Sequence, residues 1–233
     1  LRPSREAALA DLRRHYLRRV EVHGDFEPEA PVLDSTVVDD LHYVNYFGSF
    51  RPTTITRAVF LKPGQPYSLK RTERTQGFLG SYGTFSGVRV TYEQDSLHPG
   101  FLNAKVLATP LKRYSLFSEF SLTAKSNNFS GPGLKAGWKD RDLFRGGEQL
   151  TIDGTGRFEA QLGSQGATTA YEIVLNAGLR IPRLLLLQGW KLGGPFTPFT
   201  NFNANYGLYR RIGIYGMLTS SGTFSYSWRS DAR

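Results

Sequence analysis

The sequence predicts an α+β domain of order β-α-α-β-β, followed by an antiparallel up-and-down β-meander that is part of a transmembrane β-barrel. Three observations predict it. From Gln149 to Leu162 every odd position is polar and every even one is apolar or glycine, so one long strand carries a greasy face and a wet face. Five other stretches of residues 114–228 repeat that alternation. Residues 51–83 instead space their apolar side chains for helices, and strand-like runs flank them.

Taken in order, residues 4–14 read as a short helix with Ser4 as N-cap and Ala7, Ala8 and Leu12 on one side. Residues 1–15 are a linker or the end of a preceding segment. Tyr16 to His23 alternates as a strand, with Arg18, Val20 and Val22 against Leu17, Arg19 and Glu21. The Pro- and Asp-rich run that follows reads as a long loop near 24–50, with Leu41 to Phe47 as a short extended piece inside it. Pro52 and the threonines after it start a helix that Pro63-Gly64 breaks. Ser68 caps a second helix, with Leu69, Thr72, Gln76, Leu79 and Tyr82 at helical spacing and Gly83 as its stop. Gly87 to Glu93 and Leu102 to Thr109 are two strands joined by a turn containing Asp95 and Pro99-Gly100.

The meander comprises Tyr114–Lys125, Gly133–Arg141, Glu148–Leu162, Thr169–Leu184, Thr200–Tyr209 and Ile212–Trp228. These exceed the ~5–6 residues usual in soluble sheets and suffice for the ~9–11 that cross a bilayer as a tilted strand. Short connections at SNNFSGPG, LGSQGATT and Arg210–Arg211 alternate with RDLFRGG and a longer one at 181–196. Aromatics fall near strand ends (Tyr114, Trp138, Phe144, Trp190, Phe196, Trp228), as in interfacial girdles. Alternation alone does not say which face is outside, because a soluble sandwich would bury the greasy one. Strand length, and polar faces that mix both charges with Ser, Thr and Asn, favour lipid.

Composition agrees. Mean hydropathy is −0.35, and the longest aliphatic run, Leu184–Leu187, is far short of the ~18 apolar residues of a spanning helix. Barrel strands escape that test because half of each is polar. The absence of cysteine removes disulfides, thiol catalysis and zinc–thiolate sites. The start of the chain has no apolar core of a signal peptide. The net charge of +9 divides nearly evenly, +4 in residues 1–113 and +5 in 114–233. Without a basic stripe, nucleic acid is not an expected partner, while acidic lipid headgroups are compatible.

The run KPGQPYS at 62–68, the helix ending in Leu79-Gly80-Ser81-Tyr82-Gly83-Thr84-Phe85, and Ser86-Gly87-Val88-Arg89-Val90 resemble a POTRA domain. On that resemblance residues 16–112 form a POTRA-like periplasmic domain and 113–233 the first strands, about six, of an outer-membrane barrel. GPGLKAGWKDRDLFRGGEQL at 131–150 resembles the second and third barrel strands of the outer-membrane protein insertase superfamily that includes BamA and TamA. The family's Arg-Gly loop motif and aromatic-ended last strand are missing. Six strands are fewer than the ~8 of the smallest bacterial single-chain barrels, so the chain is expected to be a fragment or part of a longer polypeptide.

The resemblance implies a factor that assembles or inserts β-barrel proteins in the bacterial outer membrane, with its N-terminal domain in the periplasm. It would act by β-augmentation at strand edges. The implied substrate edge of the first barrel strand carries Tyr114, Leu116, Ser118, Phe120, Leu122 and Ala124, and a second edge on the POTRA strand carries Gly87, Val88, Arg89, Val90, Thr91 and Tyr92. Implied partners are unfolded outer-membrane proteins, outer-membrane lipid, and accessory lipoproteins or periplasmic chaperones. A two-partner-secretion or lipid-handling transporter of the same layout is an alternative, and a soluble β-rich binding module is another.

No catalytic, cofactor or metal site is expected. His15, His23, His42 and His98 lack ligand spacing. The glycines at 131, 133, 137, 146, 147, 154 and 156 read as packing and bends. Asp140, Arg141 and Asp142 read as a turn-end salt bridge, and Glu119, Asp153, Glu159 and Glu172 as isolated carboxylates on the wet face.

Overall fold

A computed structural model describes residues 14–126, 128–161, 168–185 and 197–228. The helix expected over 4–14, and the girdle positions Trp190 and Phe196, fall outside the described residues apart from residue 14. The chain divides into two compact units, the first comprising Leu1–Leu111 and Lys191–Thr197 with the C-terminal tail, the second Lys112–Trp190 and Pro198–Ser227.

The first unit has β1 (Tyr16–His23), β2 (Asp34–Val38), β3 (Leu41–Asn45), α1 (Pro52–Thr56), α2 (Leu69–Ser81), β4 (Phe85–Gln94) and β5 (Phe101–Pro110). Its sheet runs β2-β3-β1-β5-β4, with β1 parallel to both β3 and β5 and the two hairpins antiparallel. The expected β-α-α-β-β order is present as β1-α1-α2-β4-β5. The stretch near 24–50 is not a plain loop: it holds the β2–β3 hairpin, which adds to the free side of β1. Asp39 and Asp40 make this possible by taking φ 53° and 65°, the pair of positive values that a tight two-residue hairpin turn requires.

Strict alternation in β1 would put Leu17 on the opposite face from Val20 and Val22. All three are fully buried, because a register shift between Leu17 and Arg19 returns Leu17 to the core side. They pack with Leu41, Tyr43, Ile55, Leu79, Tyr82 and Val106. Helix α2 differs in detail from its expected pattern. Leu69 is exposed, and the buried stripe is Thr72, Thr75 and Leu79. The threonines are satisfied within the unit: Thr75 Oγ1 donates to the Arg71 carbonyl and accepts from the Phe60 N–H. Ser68 occupies the N-cap position without a side-chain cap bond. Gly83 reverses the chain at φ 71°, and Phe85 then packs on Phe50 and Tyr82.

A buried carboxylate fixes the entry to the helices. Asp25 is fully buried and accepts the N–H groups of Tyr46, Phe47 and Ser49 at 2.9–3.2 Å. Each of those donors would otherwise be an unpaired polar group near the core.

The second unit is one sheet of six antiparallel strands in chain order: β6 (Tyr114–Ala124), β7 (Phe129–Asp140), β8 (Gln149–Gln161), β9 (Thr169–Ile181), β10 (Phe199–Arg211) and β11 (Tyr215–Ser227). Several boundaries move from expectation, and β9 ends at Ile181 rather than Leu184. β7 starts at Phe129 and runs through Pro132, where pairing to β8 lapses at 131–132 because proline has no N–H to give. β10 continues through Arg211, and the turn falls at Ile212–Ile214 with Gly213 at φ 80°.

Replacing Asp25 by alanine is expected to destabilise the first unit by about 2–4 kcal/mol, since three backbone donors lose their shared acceptor. Amide exchange should accelerate at Tyr46, Phe47 and Ser49 and across β3, with exchange in β8 and β9 unchanged.

Candidate functional site: two open strand edges and an apolar face

Strand pairing in the second unit keeps one register throughout, so apolar positions meet apolar positions across all six strands. Leu116 pairs with Trp138, Trp138 with Ile152, Ile152 with Ala177, Ala177 with Ala204, and Ala204 with Gly222. This face is uncovered among the described residues: Leu116 is 83% exposed, Leu122 76% and Phe120 67%, with Leu134, Ile152, Leu175, Tyr206 and Leu218 also exposed. Keeping each large apolar side chain in water forgoes roughly 1.5–3 kcal/mol. Small residues at Ala136 and Gly154 leave a shallow hollow of about 660 Å³ between Leu116, Trp138, Ile152 and Leu175.

Aromatics bound this face at both ends. At the end where β6 begins stand Tyr114 and Trp138, stacked at 5.8 Å, and Phe202 against Phe224 at 5.0 Å. At the other end Phe158 pairs with Tyr171. Six residues separate Ile152, level with Trp138, from Phe158, about 20 Å of strand.

The opposite face is a polar ladder. Lys135 lies 3.5 Å from Asp153, which accepts from Asn176 at 2.8 Å, and Asn176 accepts from Asn205 at 2.6 Å. Glu159 is bonded to Lys125 and Glu172 to Arg157. Three of the four wet-face carboxylates therefore sit on cations, and no two of them share a site. Phe117, Val174 and Met217 interrupt this face; the Phe117 ring covers Gly137, where a Cβ would collide with it, and Lys135 lies over the ring. Gly131 is equally required, since a Cβ there would strike the Phe158 carbonyl.

The sheet is open. Among the described residues β6 pairs only with β7, and β11 only with β10. The backbone parity of β6 follows from two bonds: Lys125 N–H donates to the Phe129 carbonyl and Arg141 N–H to the Arg113 carbonyl. Odd positions of β6 therefore bond to β7, and even positions turn their N–H and C=O groups to the unpaired side. Those even positions include Leu116, Ser118, Phe120 and Leu122 and extend to Tyr114 and Ala124, the six residues singled out from the sequence.

β4 is likewise an outer strand of its sheet. Asp95 N–H donates to the Phe101 carbonyl, so odd positions bond to β5 and Val88, Val90 and Tyr92 present backbone groups outward. Gly87, Arg89 and Thr91 spend theirs on β5. A hollow of about 350 Å³ lies beside Gly87, Val88 and Arg89, closed by Phe26 and Leu107. Sequence alone located both strands, but the outward parity needed the register.

The turn at 141–148 is built from acids. Arg113, not Arg141, bridges Asp140 through two bonds of 3.0 and 3.1 Å, while Arg141 donates to the Lys112 carbonyl. Asp142 accepts the Gly147 N–H and Glu148 the Gly146 N–H. Burial pushes the Asp142 carboxyl up to about 6, with Glu148 and Asp140 adding to the rise and the Gly147 bond and Arg113 opposing it.

No family model matches this chain, and no curated protein is similar to it. Among solved structures it is similar to the crystal structure of BamA from Haemophilus ducreyi lacking POTRA domains 1–3, at 9% identity and a TM-score of 0.36, over 80% of this chain and 42% of that one. The chain thus spans less than half the length of that structure.

A raised carboxyl favours the folded turn when protonated. That contribution is present below the ordinary carboxyl range and is lost as pH rises through about 6. Asp142→Asn keeps an acceptor for Gly147 and removes the penalty. Expected is a gain of about 1–2 kcal/mol at pH 8, discounted for nearby solvent, and no gain at pH 4, read by exchange at Gly146 and Gly147.

Proposed function

We propose that this chain is the membrane-entry part of a factor that assembles β-barrel proteins at the bacterial outer membrane, with its α+β unit in the periplasm. The observation that carries this is the coincidence, on β6, of an uncovered apolar face with an unpaired backbone edge. Lipid would satisfy the first and an incoming strand the second. An apolar face bounded by two aromatic bands and backed by a polar ladder matches the cross-section of a barrel wall. The soluble-module alternative needs a layer over the apolar face, and the described residues supply none.

The mechanism requires no catalytic side chain. An unfolded client strand would add to the even-position donors and acceptors of β6, gaining a ladder while its own apolar face turns to lipid. The outer edge of β4 offers a second such ladder for clients or accessory proteins before membrane entry.

The parity of β6 makes a sharp test. Proline at Ser118 or Phe120 deletes a donor that faces the open side, and each missing bond is worth about 0.5–1.5 kcal/mol, a roughly two- to tenfold weakening. Alanine there keeps the donor. In growth and client-insertion assays, Phe120→Pro is expected to impair insertion while Phe120→Ala does not, with heat-resistant β-structure retained in both. Glu119→Pro, which removes a bond to β7, should instead lower the stability of the sheet itself. Proline tolerated at both Ser118 and Phe120 would mean that this edge does not receive clients.

A further inference from the structure

We infer that the outer edge of the β2–β3 hairpin is a docking strand for a basic extended segment of a partner protein. The inference does not depend on the assembly role proposed above, because it concerns another edge and another chemistry. Among the described residues β2 pairs only with β3, which leaves its far side open. The Asp39-Asp40 turn closes on the Val38–Leu41 pair, which sets Ser35 and Val37 as the residues whose backbone groups face outward. Leu33, just before the strand, and Val37 within it are each two-thirds exposed. The edge thus has a ladder to offer and apolar side chains to cover.

Charge identifies the occupant. The chain is basic overall at +9, yet residues 20–50 contain seven of its 20 carboxylates and no lysine or arginine. Asp25 is used internally by three backbone N–H groups, and Glu21 by Arg19 and His23. The other five, Glu27, Glu29, Asp34, Asp39 and Asp40, are exposed and form no ion pair among the described residues. Three of them lie on the hairpin itself. A second copy of this chain pairing through the same edge would bring like charges together, which is unfavourable. A strand bearing lysine or arginine next to aliphatic residues fits both the charge and the exposed Leu33 and Val37.

The edge also carries its own gate. The Ser35 N–H donates to the Asp34 carboxylate at 2.7 Å. A neutral strand must compete with that carboxylate for the donor. A cationic side chain draws Asp34 away and frees the donor for the incoming carbonyl, so the edge selects for positive charge.

The test uses the full chain in detergent micelles and a labelled peptide of about ten residues alternating lysine with valine or threonine. Expected are saturable binding that weakens about tenfold between about 50 and 300 mM salt, and slowed amide exchange at Ser35 and Val37 but not at Val88 or Val90. The variant D34N/D39N/D40N should lose about tenfold in affinity at low salt. Asparagine adopts positive φ as aspartate does, so the turn is kept, and unchanged exchange in β1 and β5 verifies the fold. Equal binding by the triple variant, equal binding of a glutamate-for-lysine peptide, or protection that appears on β4 or β6 instead would each overturn the inference.

Discussion

The second unit depends on one constraint: an antiparallel ladder held in a single register across six strands. Side chains alternate with a period of two, so a one-residue slip anywhere would carry an entire strand's apolar set to the wet side. The ladder from Leu116 through Trp138, Ile152, Ala177 and Ala204 to Gly222 shows no such slip. The polar face reinforces the register, because Lys135, Asp153, Asn176 and Asn205 reach one another only when the strands are aligned this way. The same register fixes which backbone groups of β6 remain free. Apolar exposure and edge availability are thus two consequences of one alignment.

The first unit is stabilised differently. Its core is continuous, from Leu17 through Tyr43 and Ile55 to Leu79 and Val106, and two of its buried polar side chains, Asp25 and Thr75, each gather backbone partners. Asp25 gathers three N–H groups at the start of the helical segment, and Thr75 joins α2 to Phe60. The β2–β3 hairpin lengthens the sheet beyond β1, which moves the outer edge to a strand dense in carboxylates. One sheet therefore ends in two edges of unlike character: β4 carries Arg89 and no acid until Glu93, and β2 carries Asp34 beside the Asp39-Asp40 turn.

Much of this was legible from residue order. The alternation located all six long strands. The hairpin at 34–45 was hidden for a physical reason. Its strands have five residues each, β2 is exposed along nearly its whole length, and two aspartates rather than Asn-Gly make the turn. The bulge in β1 and the passage of β7 through Pro132 were hidden because both are set by the neighbouring strand. The ion pair at the 141–148 turn was foreseen between near neighbours, but Arg113, 27 residues from Asp140 in sequence, makes it. Averaging charge over the two halves also concealed the acidic hairpin, which a shorter window reveals.

The central claim is that the apolar face of the six-stranded sheet meets lipid. It is tested most directly by spin labels placed one at a time along β7 and β8, at Leu134, Lys135, Ala136, Thr151, Ile152 and Asp153, with the protein reconstituted in bilayers. Collision rates with oxygen, which concentrates in the hydrocarbon, and with a water-soluble nickel chelate would be compared. The account predicts a period of two, with Leu134, Ala136 and Ile152 oxygen-accessible and Lys135, Thr151 and Asp153 chelate-accessible or shielded from both. A reversed period, or labels at Leu134 and Ile152 shielded from both reagents, would show that another protein layer covers this face and would contradict the account.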